Sequence, residues 1–166
     1  MGDILRSVVV VLALVGVIVA YQRFYTDEDA EFRAPVDVEA AVTQARDAAP
    51  YEVLAPAALP AGWKATSVRY EPGSDPRWHV GYLTASQEYA GLEQGAESAA
   101  ELLEEVAPGA EPIGASDVSG DTWRVLIDEE RGDVTLLRST ADSVVAVTGS
   151  ASQDELEELA GALRAR

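Results

Sequence analysis

The stretch WKATSVRYEPGSDPRWHVGYLT, residues 63–84, predicts two antiparallel strands joined by a turn. Both ends of the stretch carry aromatic and β-branched residues, which favour pleated strands. The centre, EPGSDP at 71–76, holds the proline, glycine and acidic residues that are typical of turns. We therefore expect a strand over Trp63–Tyr70, a second strand over Trp78–Thr84, and a hairpin between them.

Short runs of the same kind recur on both sides of this hairpin. They are Tyr51–Leu54 before it, and Tyr89–Gln94, Ile113–Val118, Thr122–Asp128, Val134–Ser139 and Ser143–Thr148 after it. Turn-forming residues separate neighbouring runs, most plainly in DEERGD at 128–133, so hairpins are the simplest connections. The sequence therefore predicts two groups of four antiparallel strands.

Three segments have apolar residues at the three- and four-residue spacing of an amphipathic helix. They are residues 36–49, 96–109 and 152–166. The first segment ends at Pro50 and the second has Gly109 beyond its end, both of which are typical helix stops. The third begins with Ser152 and Glu155, three residues apart, which is the spacing of a capping box. We expect three helices at these places.

The order of the predicted elements is helix, four strands, helix, four strands, helix. Strict alternation of strands and helices, as in a doubly wound fold, is therefore absent. We expect an α+β domain over residues 36–166, in which an antiparallel β-sheet is covered by helices on one face as an α/β sandwich. Residues 26–35, which are charged and end at Pro35, are predicted to be a linker.

The first 25 residues predict an N-terminal transmembrane helix that acts as a signal anchor. The apolar run from Val8 to Tyr21 extends back to Ile4, which is long enough to span a slightly thinned bilayer. A cleaved signal peptide is the alternative, although Ile18 fits a cleavage site poorly. Because Arg6 precedes the run and acidic residues follow it, we expect a single-pass protein with a cytoplasmic N-terminus and an extracytoplasmic C-terminal domain.

Composition excludes several classes of function. The 166-residue chain has a net charge of −17, and no basic stripe offsets it, so we expect no nucleic-acid partner. The chain has no cysteine, which removes disulfides, thiolate catalysis and cysteine zinc sites. Motifs for nucleotides, EF-hand calcium and metalloprotease zinc are absent as well. We predict no cofactor and no metal.

His79 is the single histidine of the chain, so a histidine-dependent catalytic site has to use it. Catalysis would also need a nucleophile within hydrogen-bond reach, and the sequence singles out none. Ser74 and Asp75 are near His79 only along the chain. Carboxylate pairs such as Glu104 and Glu105 lie on a predicted helix, where solvated charge explains them. We therefore assign no catalytic residue.

Aromatic residues are concentrated in the predicted strands, where cross-strand packing in a core explains most of them. The alternative is a groove in which tryptophan and tyrosine flank a small ligand or a peptide. The strand–turn–strand unit also places Lys64, Arg69 and Glu71 near His79. The residues that we assign to a ligand site on this basis are Trp63, Arg69, Tyr70, Trp78, His79, Tyr82 and Glu93.

Four segments together resemble a known family. They are LPAGWKATSVRYEPG, WHVGYLT, YAGLEQ and VVAVTGSASQDELEELAGALR. The chain is similar over residues 3–165 to an actinobacterial family of single-pass membrane proteins, domain of unknown function 4245. Ser150 is a departure, since the family ending usually has threonine there. The resemblance implies a cell-envelope setting and an N-terminal anchor, and it implies no catalytic residue. The element order is also similar to that of Mog1/PsbP-like α/β sandwiches.

These observations favour a non-enzymatic, membrane-tethered extracytoplasmic module that binds a protein partner or a small envelope ligand. The alternative is an envelope hydrolase that uses His79 or a carboxylate pair. A third possibility is a structural subunit of a larger membrane complex, which would present an exposed apolar patch.

Overall fold

The structure, a computed structural model, describes residues 36–165. The elements in chain order are α1 (Val38–Ala48), β1 (Leu54–Pro56), β2 (Lys64–Glu71), β3 (Arg77–Leu83), β4 (Tyr89–Gly95), α2 (Ala99–Val106), β5 (Glu111–Val118), β6 (Asp121–Asp128), β7 (Asp133–Ser139), β8 (Val144–Gly149), α3 (Gln153–Ala162) and β9 (Leu163–Ala165). The predicted anchor at 1–25 and linker at 26–35 lie outside the described residues. No helix within 36–165 has the length and apolar character to cross a membrane.

Seven strands form one antiparallel sheet in the order β2-β3-β4-β8-β7-β6-β5. The predicted antiparallel α+β class is therefore confirmed. The hairpin within 63–84 is confirmed as β2 and β3, and DEERGD is the turn between β6 and β7. In that turn the Asp128 carboxylate accepts the backbone N–H groups of Glu130 and Arg131, and Gly132 has a φ of 78°. Local hydrogen bonds thus fix the turn.

The prediction that helices cover only one face of the sheet is wrong. Helices α1 and α3 pack on one face, and α2 packs on the other face against β7 and β8. Strand β8 shows the reason, because Val145 and Val147 join the larger core while Val144 and Ala146 join the smaller core under α2. An unbroken apolar run is typical of a strand that is buried on both sides.

The predicted strand Tyr51–Leu54 is also wrong, because β1 starts only at Leu54 and lies outside the main sheet. Side chains instead satisfy the backbone of this segment. The Gln94 amide accepts the Leu54 N–H at 2.9 Å and donates to the Glu52 carbonyl at 2.8 Å. The Trp78 indole donates to the Leu54 carbonyl at 2.9 Å. These bonds replace the hydrogen bonds that a neighbouring strand would supply.

The predicted helix over 152–166 ends earlier, at Ala162. The next three residues form β9, which pairs antiparallel with β1 as a separate two-stranded sheet. Burial of the Leu163 side chain at 7% exposure accompanies this change of direction. The Arg164 guanidinium donates to the Gly161 carbonyl at 2.9 Å, so one carbonyl at the helix end still has a partner.

Hydrogen-bonding side chains define where the helices begin. Ser152 and Glu155 form the predicted capping box of α3. Ser98 and Glu101 form a second capping box at α2, with the same three-residue spacing. Each box satisfies backbone N–H groups that the first turn leaves open, which is worth about 1 kcal/mol. Asp37 caps α1 in a simpler way, by accepting the Ala40 N–H.

Candidate functional site

The sheet brings three of the predicted site residues together on one face. Arg69 of β2 is the direct partner of His79 on β3, and His79 is the direct partner of Glu93 on β4. Residues opposite each other in a sheet project to the same side. Helix α2 packs on β7 and β8, at the other half of this face. We call the surface of β2, β3 and β4 on this side the polar face.

A chain of two hydrogen bonds runs across the polar face. The Ser67 hydroxyl oxygen lies 3.0 Å from His79 Nε2, and His79 Nδ1 lies 2.5 Å from Glu93 Oε1. The His79 and Glu93 side chains are 15% and 13% exposed, so water reaches both without surrounding them. The His79 imidazole therefore links a hydroxyl, which can act as a nucleophile, to a carboxylate, with one hydrogen bond at each ring nitrogen.

Two glycines make room for this arrangement. Ser67 is opposite Gly81, and a Cβ atom on Gly81 would stand 2.5 Å from the Ser67 hydroxyl oxygen. Gly81 is in turn opposite Gly91 on β4. The Tyr89 ring lies over both glycines, since its atoms would be 3.2 Å and 2.8 Å from Cβ atoms placed there. Because Gly81 has no side chain, the Ser67 hydroxyl lies close to the backbone of the sheet, beside the Tyr89 ring.

Charge on the polar face acts on Tyr89. Burial and the Glu93 carboxylate raise the pKa of Tyr89, and Arg69 partly offsets them. The phenol is therefore protonated and can donate a hydrogen bond at neutral pH. Arg69 itself is exposed and pairs with Glu71 at 2.8 Å.

An ion-pair cluster lies at the boundary of the polar face, next to α2. The Arg77 guanidinium lies 2.6 Å from the Glu97 carboxylate and 2.8 Å from the Glu105 carboxylate. The Glu97 side chain is 6% exposed and folds over Gly95, where a Cβ atom would collide with it. This cluster joins β3 to α2 through one guanidinium that is shared by two carboxylates, so a net charge of about −1 remains.

The other four predicted site residues lie on the opposite face. Trp78 and Tyr82 are fully buried in the larger core, and Tyr70 is partly buried against it. Trp63 is 7% exposed, with its ring centroid 6.4 Å from that of Tyr82. The structure therefore does not bring the seven predicted residues into one groove.

Sequence reasoning missed Ser67. Its signal was present in the strand alternation, because residues 67, 69 and 71 share one face of β2, and the hairpin register sets Arg69 opposite His79. A β-bulge between Ala65 and Ser67 shifts this alternation by one residue at the start of the strand. Counting from the start of β2 would have placed Ser67 on the wrong face.

A cavity of about 430 Å³ lies on the α1 side of the protein. It is lined by Val38, Glu39, Val42, Thr43 and Arg46 of α1, by residues 55–59, and by Tyr82. The Tyr82 hydroxyl is buried and has no hydrogen-bond partner within residues 36–165. Burial also raises the pKa of Tyr82, so the hydroxyl keeps its proton. An unpartnered buried hydroxyl is unusual, because leaving it so costs about 1–3 kcal/mol.

In the part of the chain that the structure describes, no group of three or more histidine, aspartate or glutamate side chains is placed to hold a metal ion. The polar face has one imidazole, which already bonds at both nitrogens. The chemistry that it offers is proton transfer and hydrogen bonding.

Comparison with known proteins gives a family and several distantly similar solved structures. The model of the family described as protein of unknown function (DUF4245) matches residues 1–163. No curated protein gives a significant match. A crystal structure of MucB in complex with MucA(peri) is similar at 15% identity and a TM-score of 0.40, covering 68% of this chain and 36% of that one. The Pseudomonas aeruginosa MucA/MucB complex is similar at 18% identity and a TM-score of 0.36, covering 68% and 35%. The chain thus spans about a third of each structure, and both TM-scores are below the level that establishes a shared fold.

Proposed function

This chain belongs to the DUF4245 family of proteins of unknown function, and we propose that it is a membrane-anchored extracytoplasmic module that binds a small envelope ligand. The observation that carries the proposal is the cavity beside α1, whose lining includes Tyr82, a residue with a buried and unpartnered hydroxyl. Its volume of about 430 Å³ falls within the range of natural ligand pockets.

The lining of the cavity indicates the class of ligand. Aliphatic side chains such as Val42 and Leu59 line most of it, and Thr43 and Arg46 of α1 supply polar groups. The Tyr82 hydroxyl can donate one hydrogen bond because its proton is retained. The ligand that fits is small and largely apolar, with one hydroxyl, ether or carbonyl oxygen that accepts this bond.

The sequence supports the proposed setting in the envelope. The apolar run from Val8 to Tyr21 supports an anchor, and the chain after residue 25 has a net charge of −18, since Asp3, Arg6 and Arg23 give the first 25 residues +1. An acidic domain tethered to a membrane is repelled by anionic headgroups, so the lipid surface itself is not the expected ligand.

A matched pair of ligands tests the cavity. Cyclohexanol and methylcyclohexane have nearly the same shape, and only cyclohexanol can accept a hydrogen bond. We expect Tyr82→Phe, in the full chain held in an amphipathic polymer, to weaken the binding of cyclohexanol about fivefold and to leave that of methylcyclohexane unchanged, since one such bond is worth about 1 kcal/mol. Tryptophan emission can report the binding, because Trp63 lies 6.4 Å from Tyr82.

Tyr89→Phe, on the opposite face, is the control and should leave the affinity for both ligands unchanged. An unchanged cyclohexanol affinity in Tyr82→Phe, or the same loss in both variants, would contradict the assignment of the cavity as the ligand site.

A further inference from the structure

We propose that Ser67, His79 and Glu93 form a nucleophilic site that hydrolyses small carboxylic esters. This activity lies on the polar face, opposite the cavity, and does not depend on ligand binding there. The proposal rests on the two hydrogen bonds that join the three side chains through one imidazole ring.

The hydrogen bonds assign a role to each group. The Glu93 carboxylate accepts a hydrogen bond from the Nδ1–H group of His79 at 2.5 Å. Nε2 then carries no proton and accepts a hydrogen bond from the Ser67 hydroxyl at 3.0 Å. A carboxylate, an imidazole and a hydroxyl in this order constitute a serine hydrolase triad, which is recognised by geometry and not by sequence position. Ser67 is the nucleophile, His79 the general base, and Glu93 the positioning residue.

The scaffold holds these groups rigidly. They stand on three adjacent strands of a seven-stranded sheet, and His79 and Glu93 are direct cross-strand partners. Gly81 leaves the space that the Ser67 hydroxyl occupies. Sites built on strands are more precise than sites on loops, so the hydroxyl and the imidazole keep their separation as substrate arrives.

The network links side chains to one another and not to the backbone. Each of its two bonds joins side chains alone, and none of the three side chains bonds a backbone group within residues 36–165. Gln94, one residue after Glu93, shows the contrast, because its amide satisfies the backbone of residues 52 and 54. Gln94 thus holds the backbone beside the site, and the hydroxyl–imidazole–carboxylate chain bonds only among its own members.

Two groups beside Ser67 can meet the charge that develops on the carbonyl oxygen of an ester. The Tyr89 ring lies over Gly81 and Gly91, next to the Ser67 hydroxyl, and its phenol is protonated. Arg69 is two residues from Ser67 on the same face of β2, and its guanidinium, which pairs with the exposed Glu71, would have to turn towards the substrate. A phenol and a guanidinium both stabilise an oxyanion, and the Tyr89 ring offers an apolar surface to a short acyl chain.

The reaction balances with water as the co-substrate. The Ser67 oxygen attacks the ester carbonyl carbon while its proton passes to His79 Nε2, giving a tetrahedral oxyanion. The bond to the alcohol oxygen then breaks, and the alcohol leaves with the proton from His79, so the acyl group remains on Ser67. Water attacks this acyl ester, gives its proton to His79, and releases the carboxylic acid as the proton returns to Ser67.

A fluorophosphonate probe tests the site, because it phosphonylates an activated serine and expels fluoride. We expect the full chain, in membranes, to gain one phosphonyl group, which peptide mass spectrometry places on Ser67. Ser67→Ala should lose the label, and His79→Ala should lower the labelling rate by about 100-fold or more. Ser74→Ala is the matched control and should label like the unmodified chain, because Ser74 bonds only to Asp75 in an exposed turn.

Glu93→Gln separates positioning from binding. It should lower the maximal labelling rate about tenfold while the concentration of probe that gives half of that rate is unchanged, since glutamine cannot stabilise the imidazolium as a carboxylate does. Circular dichroism checks that each variant is folded. No label on Ser67 of the folded unmodified chain, or equal labelling of folded His79→Ala, would overturn the proposal.

Discussion

Gln94 shows at the scale of a residue what the sequence could not reveal. Its amide holds the Glu52 carbonyl, the Leu54 N–H and the Ser143 hydroxyl, all distant in the chain. The pattern around Tyr51–Leu54 is that of a strand, and only these long-range bonds turn it into a crossing segment. Local propensity has no access to such contacts, so the wrong prediction follows from tertiary structure overriding it.

The candidate site divides in the same way. The sequence predicts Arg69, His79 and Glu93 as ligand-site residues, and the hairpin register brings them together. It does not predict Ser67, because the bulge at the start of β2 changes the face on which this side chain lies. The predicted site also includes Trp63 and Tyr82 because they are aromatic, although strand alternation separates core residues from polar ones.

Glu155 couples stability to pH at the N-terminus of α3. The Ser86 hydroxyl donates to its carboxylate at 2.6 Å and, together with bonds from Thr84 and Ser152, lowers the pKa of Glu155 from 4.5 to about 2. A carboxyl group with a lowered pKa stabilises the folded state above the unfolded pKa, and loses that effect as pH falls from about 4.5 towards 2.

We therefore expect Glu155→Gln to lower the free energy of unfolding by about 1 kcal/mol at pH 7, the usual cost of losing a capping contact. The gap to the unmodified chain should narrow below pH 4.5 and close near pH 2. Urea unfolding at several pH values measures it. Glu158→Gln is the control, since Glu158 is exposed on the same helix and makes no hydrogen bond or ion pair with any described residue. A gap that stays constant with pH would contradict this account.

At the scale of elements, the regular spacing of apolar residues predicts the helices and most strands, because each of those elements buries one face. The spacing of apolar residues does not predict which face of the sheet each helix covers. The continuous apolar run of β8 is the sequence feature that indicates helices on both faces. The spacing of apolar residues does not predict where α3 ends, because β9 forms only through its pairing with β1.

The junction between β8 and β4 depends on one glycine. Gly149 has a φ of 149°, and a Cβ atom there would collide with the Tyr89 carbonyl oxygen. Because that oxygen also accepts the Ala151 N–H at 3.0 Å, the backbone cannot move aside freely. We expect Gly149→Ala to lower the free energy of unfolding by about 3 kcal/mol.

The matched control is Gly73→Ala, which has open space around the new methyl group and a φ outside the left-handed region. It should change stability by less than about 0.5 kcal/mol. Urea midpoints, read by tryptophan emission, compare the two variants. Equal effects at the two glycines would show that the contact with Tyr89 does not constrain the junction.

At the scale of the whole molecule, the sheet protects its edges. The edge strand β5 carries Pro112, a bulge between Pro112 and Gly114, and an exposed Asp117, all of which discourage pairing with another chain. The other edge, β2, carries its own bulge and the exposed charges of Arg69 and Glu71. These features favour a domain that meets partners through its faces and not by adding strands.

Membrane attachment is the prediction that belongs to the whole chain. We expect the full chain to sediment with membranes and a variant without residues 1–25 to be absent from them, because the apolar run from Val8 to Tyr21 lies in that segment. External protease should digest the C-terminal domain in cells stripped of their wall.

A cytosolic domain that protease cannot reach would contradict this topology. Sequencing the N-terminus of the membrane-bound protein distinguishes a retained anchor from a cleaved signal peptide, since cleavage would remove the apolar run.

The pairing of β1 with β9 places the C-terminal end of the described residues against the segment that follows α1. Pro56 faces Leu163 across this pair, and Val38, at the start of α1, lines the same cavity as Pro56. A short glycine-rich bridge could therefore join the two ends, and new termini could be opened in the turn at 129–132. Such a circular permutant should keep both faces of the sheet, since chain order would change while every strand kept its neighbours.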